Sequence, residues 1–86
     1  MYKIELEYRS RTGRNIVKKR KEFIMNQKEF CEALNCSVTL ISQIECGHKR
    51  PSAKMLQKIC KVLRCTAQDL LPSEEELQEI REVYGE

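Results

Sequence analysis

The sequence predicts a small all-α domain of five short helices, preceded by one β-strand and followed by a C-terminal helix. Its 86 residues suffice for a single hydrophobic core. Hydrophobic residues make up 41 % of the chain, with only 3 Gly and 2 Pro, which disfavours a disordered chain or a Gly-rich β-barrel. Successive capping signals divide the chain. We expect a strand arm over 1–12, a helical domain over 13–71 and an acidic amphipathic helix over 72–86.

The N-terminal segment predicts a strand because apolar residues alternate with charged ones over residues 2–8. A helical period begins only at about Asn15, after turn residues at 10–13. A lone strand needs a partner for its backbone groups, and we expect a second copy of the chain to supply it in an antiparallel ribbon. The alternative is a disordered or folded-back arm. The predicted homodimer interface joins the strand to one face of the C-terminal helix: Tyr2, Ile4, Leu6, Tyr8, Leu77, Ile80 and Tyr84.

The helices are predicted from their ends. Asn26, with Glu29 three residues later, approximates a capping box for a helix over 27–34, and Asn35 suits a left-handed end. Four further starts carry a Ser or Thr: Ser37, Ser52, Thr66 and Ser73. Only three residues separate helix 27–34 from helix 38–46, so the two must cross steeply, as in a helix-turn-helix.

These segments resemble the helix-turn-helix of phage repressors and Cro proteins, the xenobiotic response element family. The similar features are a Gln opening the second helix, a Ser capping the third, an Ile-x-x-Ile-Glu-x-Gly ending and a following Pro-Ser: Gln27, Ser37, Ile41, Ile44, Glu45, Gly47, Pro51 and Ser52. Cys31, Asn35 and Cys36 depart from the usual Ala and Gly-Val. The resemblance covers about residues 15–71. It implies a lambda-repressor-like fold, binding to DNA and a phosphate contact by Gln27.

A reading helix inserts its outer face into the major groove. In helix 38–46 the inward positions are Ile41 and Ile44, so the predicted base contacts lie opposite them: Val38, Thr39, Ser42 and Gln43. The predicted phosphate contacts are polar or basic residues near the ends of the helices: Arg20, Gln27, Ser37, His48, Lys49, Arg50 and Lys54. For Arg20 the alternative is a structural ion pair with Glu45.

The charge distribution favours a polyanionic partner. Residues 1–71 carry a formal charge of +8 and residues 72–86 one of −5. We therefore expect a sequence-specific transcriptional regulator, acting as a repressor, that binds a palindromic double-stranded operator as a homodimer. The alternative is an antitoxin or another module that uses the same fold to hold a partner protein. An unusually apolar exposed surface on the flanking segments would favour that alternative.

Several classes are disfavoured. One His, no Gly-rich phosphate loop and no paired carboxylates in a cleft-forming context argue against an enzyme. The spacing of the five cysteines fits neither a zinc site nor a disulfide framework, so we expect small buried hydrophobes and no metal or cofactor. No apolar run approaches the length of a membrane span, and no signal peptide is evident, so we expect a cytoplasmic protein.

Overall fold

A computed structural model describes residues 2–85, and the side chains of residues 3–85. Its secondary structure consists of six helices: α1 (Tyr2–Glu22), α2 (Gln27–Leu34), α3 (Val38–Glu45), α4 (Ala53–Leu63), α5 (Ala67–Leu70) and α6 (Glu74–Tyr84). The long helix α1 packs against α3, α5 and α6, while α2 packs against α3 and α4. The all-helical prediction is confirmed for the described part of the chain.

The predicted N-terminal strand is wrong, because residues 2–12 form the first half of α1. The alternating pattern coexists with a helical one, in which Ile4, Tyr8 and Thr12 continue the row that leads to buried Ile16. A helix satisfies its own backbone groups, whereas a strand here has no partner within the described chain. The Glu7–Arg11 pair, with 3.1 Å between Oε1 and Nε, adds support at the i, i+4 spacing. The expected boundary after residue 12 therefore falls inside one continuous helix.

Gly13, a predicted turn residue, lies inside α1 where that helix crosses α3. A Cβ at this position would lie 2.6 Å from the carbonyl oxygen of Ile44 and would also meet that of Glu45. Close by, a Cβ on Gly47 would lie 2.7 Å from Ser10 Oγ. Gly47 also has a φ of 81°, in the left-handed region. The two glycines thus allow the long helix to approach the C-terminal end of α3.

The core lies between α1, α2, α3, α4 and α5. Its buried residues belong to the central part of the chain: Ile16, Phe30, Cys31, Leu34, Ile41, Ile44, Ile59, Leu63 and Leu70. Ile41 and Ile44 are both fully buried, as the helical period of α3 predicts. Their burial fixes the rotation of α3 about its own axis, and hence the face that it shows to solvent.

The predicted starts of the helices after α1 are confirmed by their hydrogen bonds. Asn26 and Glu29 form a reciprocal capping box, and so do Ser73 and Glu76. The Asp69 carboxylate accepts from the backbone N–H of Thr66 at 2.8 Å, which lowers the pKa of Asp69 below its usual value. Local sequence signals therefore set where the helices after α1 begin.

The helix α6 packs against the N-terminal half of α1 in the same chain, which revises the predicted dimer interface. Ile80 is fully buried in this intramolecular contact, and Leu77 is half-buried. Arg11 joins the two helices through Glu76, at 3.4 Å, and Glu79, at 3.7 Å. The two-stranded ribbon is excluded because Ile4, Leu6 and Tyr8 are helical. The side chain of Tyr2 lies outside the described residues, while Tyr84 is exposed.

Candidate nucleic-acid interface

The turn between α2 and α3 is held by short backbone contacts. Asn35 adopts the left-handed conformation, with φ 54° and ψ 51°, as its residue type predicts. The N–H of Cys36 donates to the carbonyl of Cys31 at 3.1 Å, which completes the end of α2. Ser37 Oγ then accepts from the N–H of Leu40 at 3.1 Å and begins α3. These bonds set a fixed angle between the two helices.

The outer face of α3 carries the predicted base-contact residues. Val38 is 48 % exposed, Thr39 and Gln43 are exposed, and Ser42 is half-buried. An amide can pair with an adenine edge, a hydroxyl with donors or acceptors, and a valine with a thymine methyl group. The structure thus places the four side chains on the solvent side of a helix whose opposite side is buried. This arrangement can present a short pattern of polar and apolar groups to a groove.

An ion pair beneath this surface joins α1 to the end of α3. Arg20 Nε donates to Glu45 Oε2 at 2.8 Å, and Arg20 Nη2 lies 3.3 Å from Glu45 Oε1. The two side chains are only 11 % and 6 % exposed. Arg20 Nη1 donates to the carbonyl of Met25 at 2.9 Å. The guanidinium of Arg20 therefore makes the ion pair with Glu45 that the sequence offered as the alternative to a phosphate contact.

Gln27 belongs to the same network, a contact that the sequence did not predict. Its Nε2 donates to Glu45 Oε1 at 3.0 Å. Glu45 therefore accepts from α1 and α2 at once, and it orients the amide at the N-terminus of α2. The backbone N–H groups of a helix N-terminus favour an anion, so Gln27 and Ser37 stay as candidate phosphate contacts. The spacing of a Gln and a Glu on different helices gave no signal of this pairing.

The basic loop, residues 46–52 between α3 and α4, lies next to the outer face of α3. The N–H groups of His48 and Lys49 donate to the carbonyl of Gln43, at 2.9 and 3.2 Å. His48, Lys49, Arg50 and Lys54 are all exposed. These bonds attach the loop to the backbone of the candidate base-contact residue Gln43, and the loop presents three exposed basic or titratable side chains: His48, Lys49 and Arg50.

Arg50 makes two contacts with α1 that the sequence did not predict. Its Nη2 lies 3.2 Å from Glu5 Oε2, and its guanidinium carbon lies 4.6 Å from the centre of the Tyr8 ring. Distances of this kind are those of an ion pair and a cation–π contact. A helix over residues 2–12 brings both partners to the loop, so the incorrect strand prediction concealed them.

The cysteines behave mainly as small apolar residues. Burial raises the pKa of the Cys31 thiol, and it raises the pKa of Cys65 to about 11. Cys46 is exposed. Among the described residues, no group of three His, Cys, Asp or Glu side chains is placed to hold a metal ion. No helix in the same part of the chain is long and apolar enough to cross a membrane.

Comparison with known proteins agrees with this geometry. A family model described as Helix-turn-helix matches residues 16–70, from the middle of α1 to the end of α5. The chain is also 39 % identical, over 62 residues, to an uncharacterized HTH-type transcriptional regulator, YazB, of Bacillus subtilis. That alignment covers 72 % of this chain and 90 % of the relative. Residues 2–15 of α1 and all of α6 lie outside the family match. The chain belongs to the helix-turn-helix family of phage-repressor and Cro type.

Proposed function

We propose that this protein is a transcriptional regulator that binds double-stranded DNA sequence-specifically and reads the major groove with α3. One observation carries the proposal: Thr39 and Gln43 are exposed on a helix whose opposite face, with Ile41 and Ile44, is fully buried. A rigidly held helix with a polar outer face is what direct readout needs. The relative named as a transcriptional regulator supports regulation as the outcome of binding.

Affinity comes from groups around α3, because its outer face has no Lys or Arg. Phosphates are contacted by the N-termini of α2 and α3, through Gln27 and Ser37, and by the basic loop and the first turn of α4, through Lys49, Arg50 and Lys54. His48 adds a further donor at the start of the loop. These contacts position α3 without reading the sequence, so base preference depends on Val38, Thr39, Ser42 and Gln43.

The regulator acts as a homodimer on a palindromic site and represses transcription. One short helix reads few base pairs, and a two-fold pair of half-sites doubles that number at a spacing of about 34 Å or a multiple of it. The expected strand ribbon has no part in this dimer. Among residues 3–85, the exposed large apolar side chains on the flanking helices are Val83 and Tyr84. Two side chains are a small patch, which favours DNA over a partner protein as the main ligand.

Selection of bound sites from random duplexes tests the proposal directly. We expect a palindromic consensus, and sedimentation of the complex should show two chains on each selected duplex. Selection of no preferred sequence would contradict sequence-specific binding, and a single half-site with one chain bound would contradict the dimer.

Two variants then separate base reading from phosphate contact on the selected duplex. Gln43→Ala should weaken binding by about 1–3 kcal/mol and relax the preference at one base pair. Lys49→Ala should weaken binding to all sequences alike and lower the salt slope by about one unit. If Gln43→Ala kept the full sequence preference, α3 would not read the DNA as proposed.

A further inference from the structure

The part of α1 outside the family match reaches the basic loop through Arg50. Glu5 and Tyr8 lie one turn apart on this helix, and both contact the same guanidinium, Glu5 at 3.2 Å and Tyr8 at 4.6 Å from its ring centre. The Arg50 side chain is nevertheless 54 % exposed, and that of Glu5 is 44 % exposed. The contact therefore holds Arg50 in one place but leaves it free to exchange partners.

The charges at this contact decide what the exchange does. A carboxylate and a DNA phosphate oxygen are both anions that bind a guanidinium, so Arg50 cannot pair fully with both. When Arg50 moves to a phosphate, the DNA releases a counterion, but Glu5 loses its partner. The ring of Tyr8 bears no charge, so in the free protein it helps to hold Arg50 beside α1, while Glu5 is the group that competes with the phosphate.

We propose that Glu5 is a positioning residue that limits DNA affinity by competing with a DNA phosphate for Arg50. The inference rests on the proposed function, because it needs Arg50 to contact DNA. The N-terminal half of α1 thus regulates the phosphate-contacting loop without touching the bases. This competition lowers affinity for all sequences equally, and it leaves the base preference unchanged.

A double-mutant cycle on the selected duplex tests the competition. Glu5→Gln keeps the shape of the side chain and should tighten binding about two- to fivefold, the range expected for release of an exposed ion pair. It should also steepen the salt slope by up to about one unit, since Arg50 no longer gives up a protein partner. In an Arg50→Met background, Glu5→Gln should change the logarithm of the affinity by less than about half as much, because Glu5 then has no guanidinium to hold.

A matched control separates the contact from general electrostatics. Glu75→Gln removes the same charge from the exposed first turn of α6, where the described residues show no ion pair for Glu75, and it should change affinity by less than about twofold. Equal effects of Glu5→Gln in the wild-type and Arg50→Met backgrounds would overturn the proposal. So would an equal effect of Glu75→Gln.

A spectroscopic readout follows Arg50 itself. The Tyr8 ring should shift the δ-proton resonances of Arg50 upfield in the free protein, and saturation with the selected duplex should remove most of that shift. Unchanged resonances in the complex would overturn the exchange of partners. If the wild type bound no duplex at all, the proposed function would fail. If the protein bound DNA but the effects of Glu5→Gln and Arg50→Met on affinity were additive, only this inference would be overturned.

Discussion

The central domain, residues 13–71, and the two flanking helical segments, residues 2–12 of α1 and α6, are held by different interactions. Buried hydrophobic residues from five helices form the central domain, and the ion pair beneath α3 is almost fully enclosed. The contact between the N-terminal half of α1 and α6 has one fully buried large side chain, Ile80, and is otherwise joined by half-exposed ion pairs of Arg11. The central domain therefore sets the global stability, while the flanking segments are held more weakly.

This difference matches the division of roles proposed above. Direct readout needs α3 held rigidly, and its rigidity comes from burial and from the network around Glu45. Adjustment of affinity needs contacts that exchange with DNA, and an exposed pair such as Glu5–Arg50 exchanges at small energetic cost. Weak contacts in the flanking segments are thus compatible with a role in adjusting affinity. Weak contacts beneath α3 would be incompatible with direct readout, because α3 would not be held rigidly.

The largest expected effect comes from breaking the buried ion pair of the central domain. Glu45→Ala leaves the guanidinium of Arg20 buried without its carboxylate, which should reduce the free energy of unfolding by about 3–5 kcal/mol. The matched change in the flanking contact, Glu79→Ala, removes a partner of Arg11 that is 66 % exposed. Its cost should be less than about 1 kcal/mol. Urea denaturation of both variants measures the two values, and equal costs would contradict the comparison.

A hydrophobic truncation in α3 should have the next largest effect. Ile44→Ala creates a cavity at a core residue that is 1 % exposed. The expected loss is about 2–5 kcal/mol, a large part of the stability of a domain of this size. Thermal unfolding followed by circular dichroism measures it. A melting temperature within a few degrees of the wild type would contradict the rotation of α3 that places Gln43 outside.

The same truncation in the flanking contact should cost less. Ile80→Ala removes the fully buried side chain of α6. We expect α6 to separate from α1 while the central domain stays folded. We expect a loss of about 2 kcal/mol, at the low end of the range for this substitution. Native-state hydrogen exchange should show faster exchange in α6 and in residues 3–12 only. Faster exchange throughout α2 and α3 would show that the two regions unfold together.

The sequence predicted the central domain well because its signals are local. Asn26, Ser37 and Ser52 cap helices through atoms within three residues, and the isoleucines of α3 repeat at the helical period. The Arg20–Glu45 pair was also foreseen as an alternative. The contact between Gln27 and Glu45 was not, since it depends on how three helices meet rather than on any spacing along the chain.

The N-terminal segment was mispredicted because its pattern fits two structures. Residues 2–8 alternate as a strand would, yet the choice depends on what covers the segment, and α6 offers a surface to a helix. Gly13 misled in the same way, because a glycine needed for close helix packing looks like a turn residue in sequence. Both errors concern tertiary contacts, and both hid the partners of Arg50.

The smallest expected effect is a gain in stability at the C-terminal end of α1, where the left-handed residue is neither Gly nor Asn. The helix α1 ends with the same pair of backbone bonds as α2 and α4: Ile24 N–H to Lys21, at 2.9 Å, and Met25 N–H to Arg20, at 3.2 Å. Ile24 therefore has a φ of 53°, where a β-branched side chain is strained, and it is 91 % exposed.

Replacement of Ile24 should therefore stabilise the protein. Ile24→Gly removes the steric cost of the left-handed conformation, about 1–2 kcal/mol, and loses little buried surface. Part of this gain is offset by the greater freedom of glycine in the unfolded chain, so we expect a net gain of about 0.5–1 kcal/mol by urea denaturation. The control Lys21→Gly, in the last turn of α1 with ordinary helical geometry, should instead destabilise by about 1 kcal/mol. A loss of stability in both variants would mean that the contacts of Ile24 stabilise the protein by more than its backbone strain costs. The end of α1 would then be stabilised by side-chain packing, as the core of the central domain is.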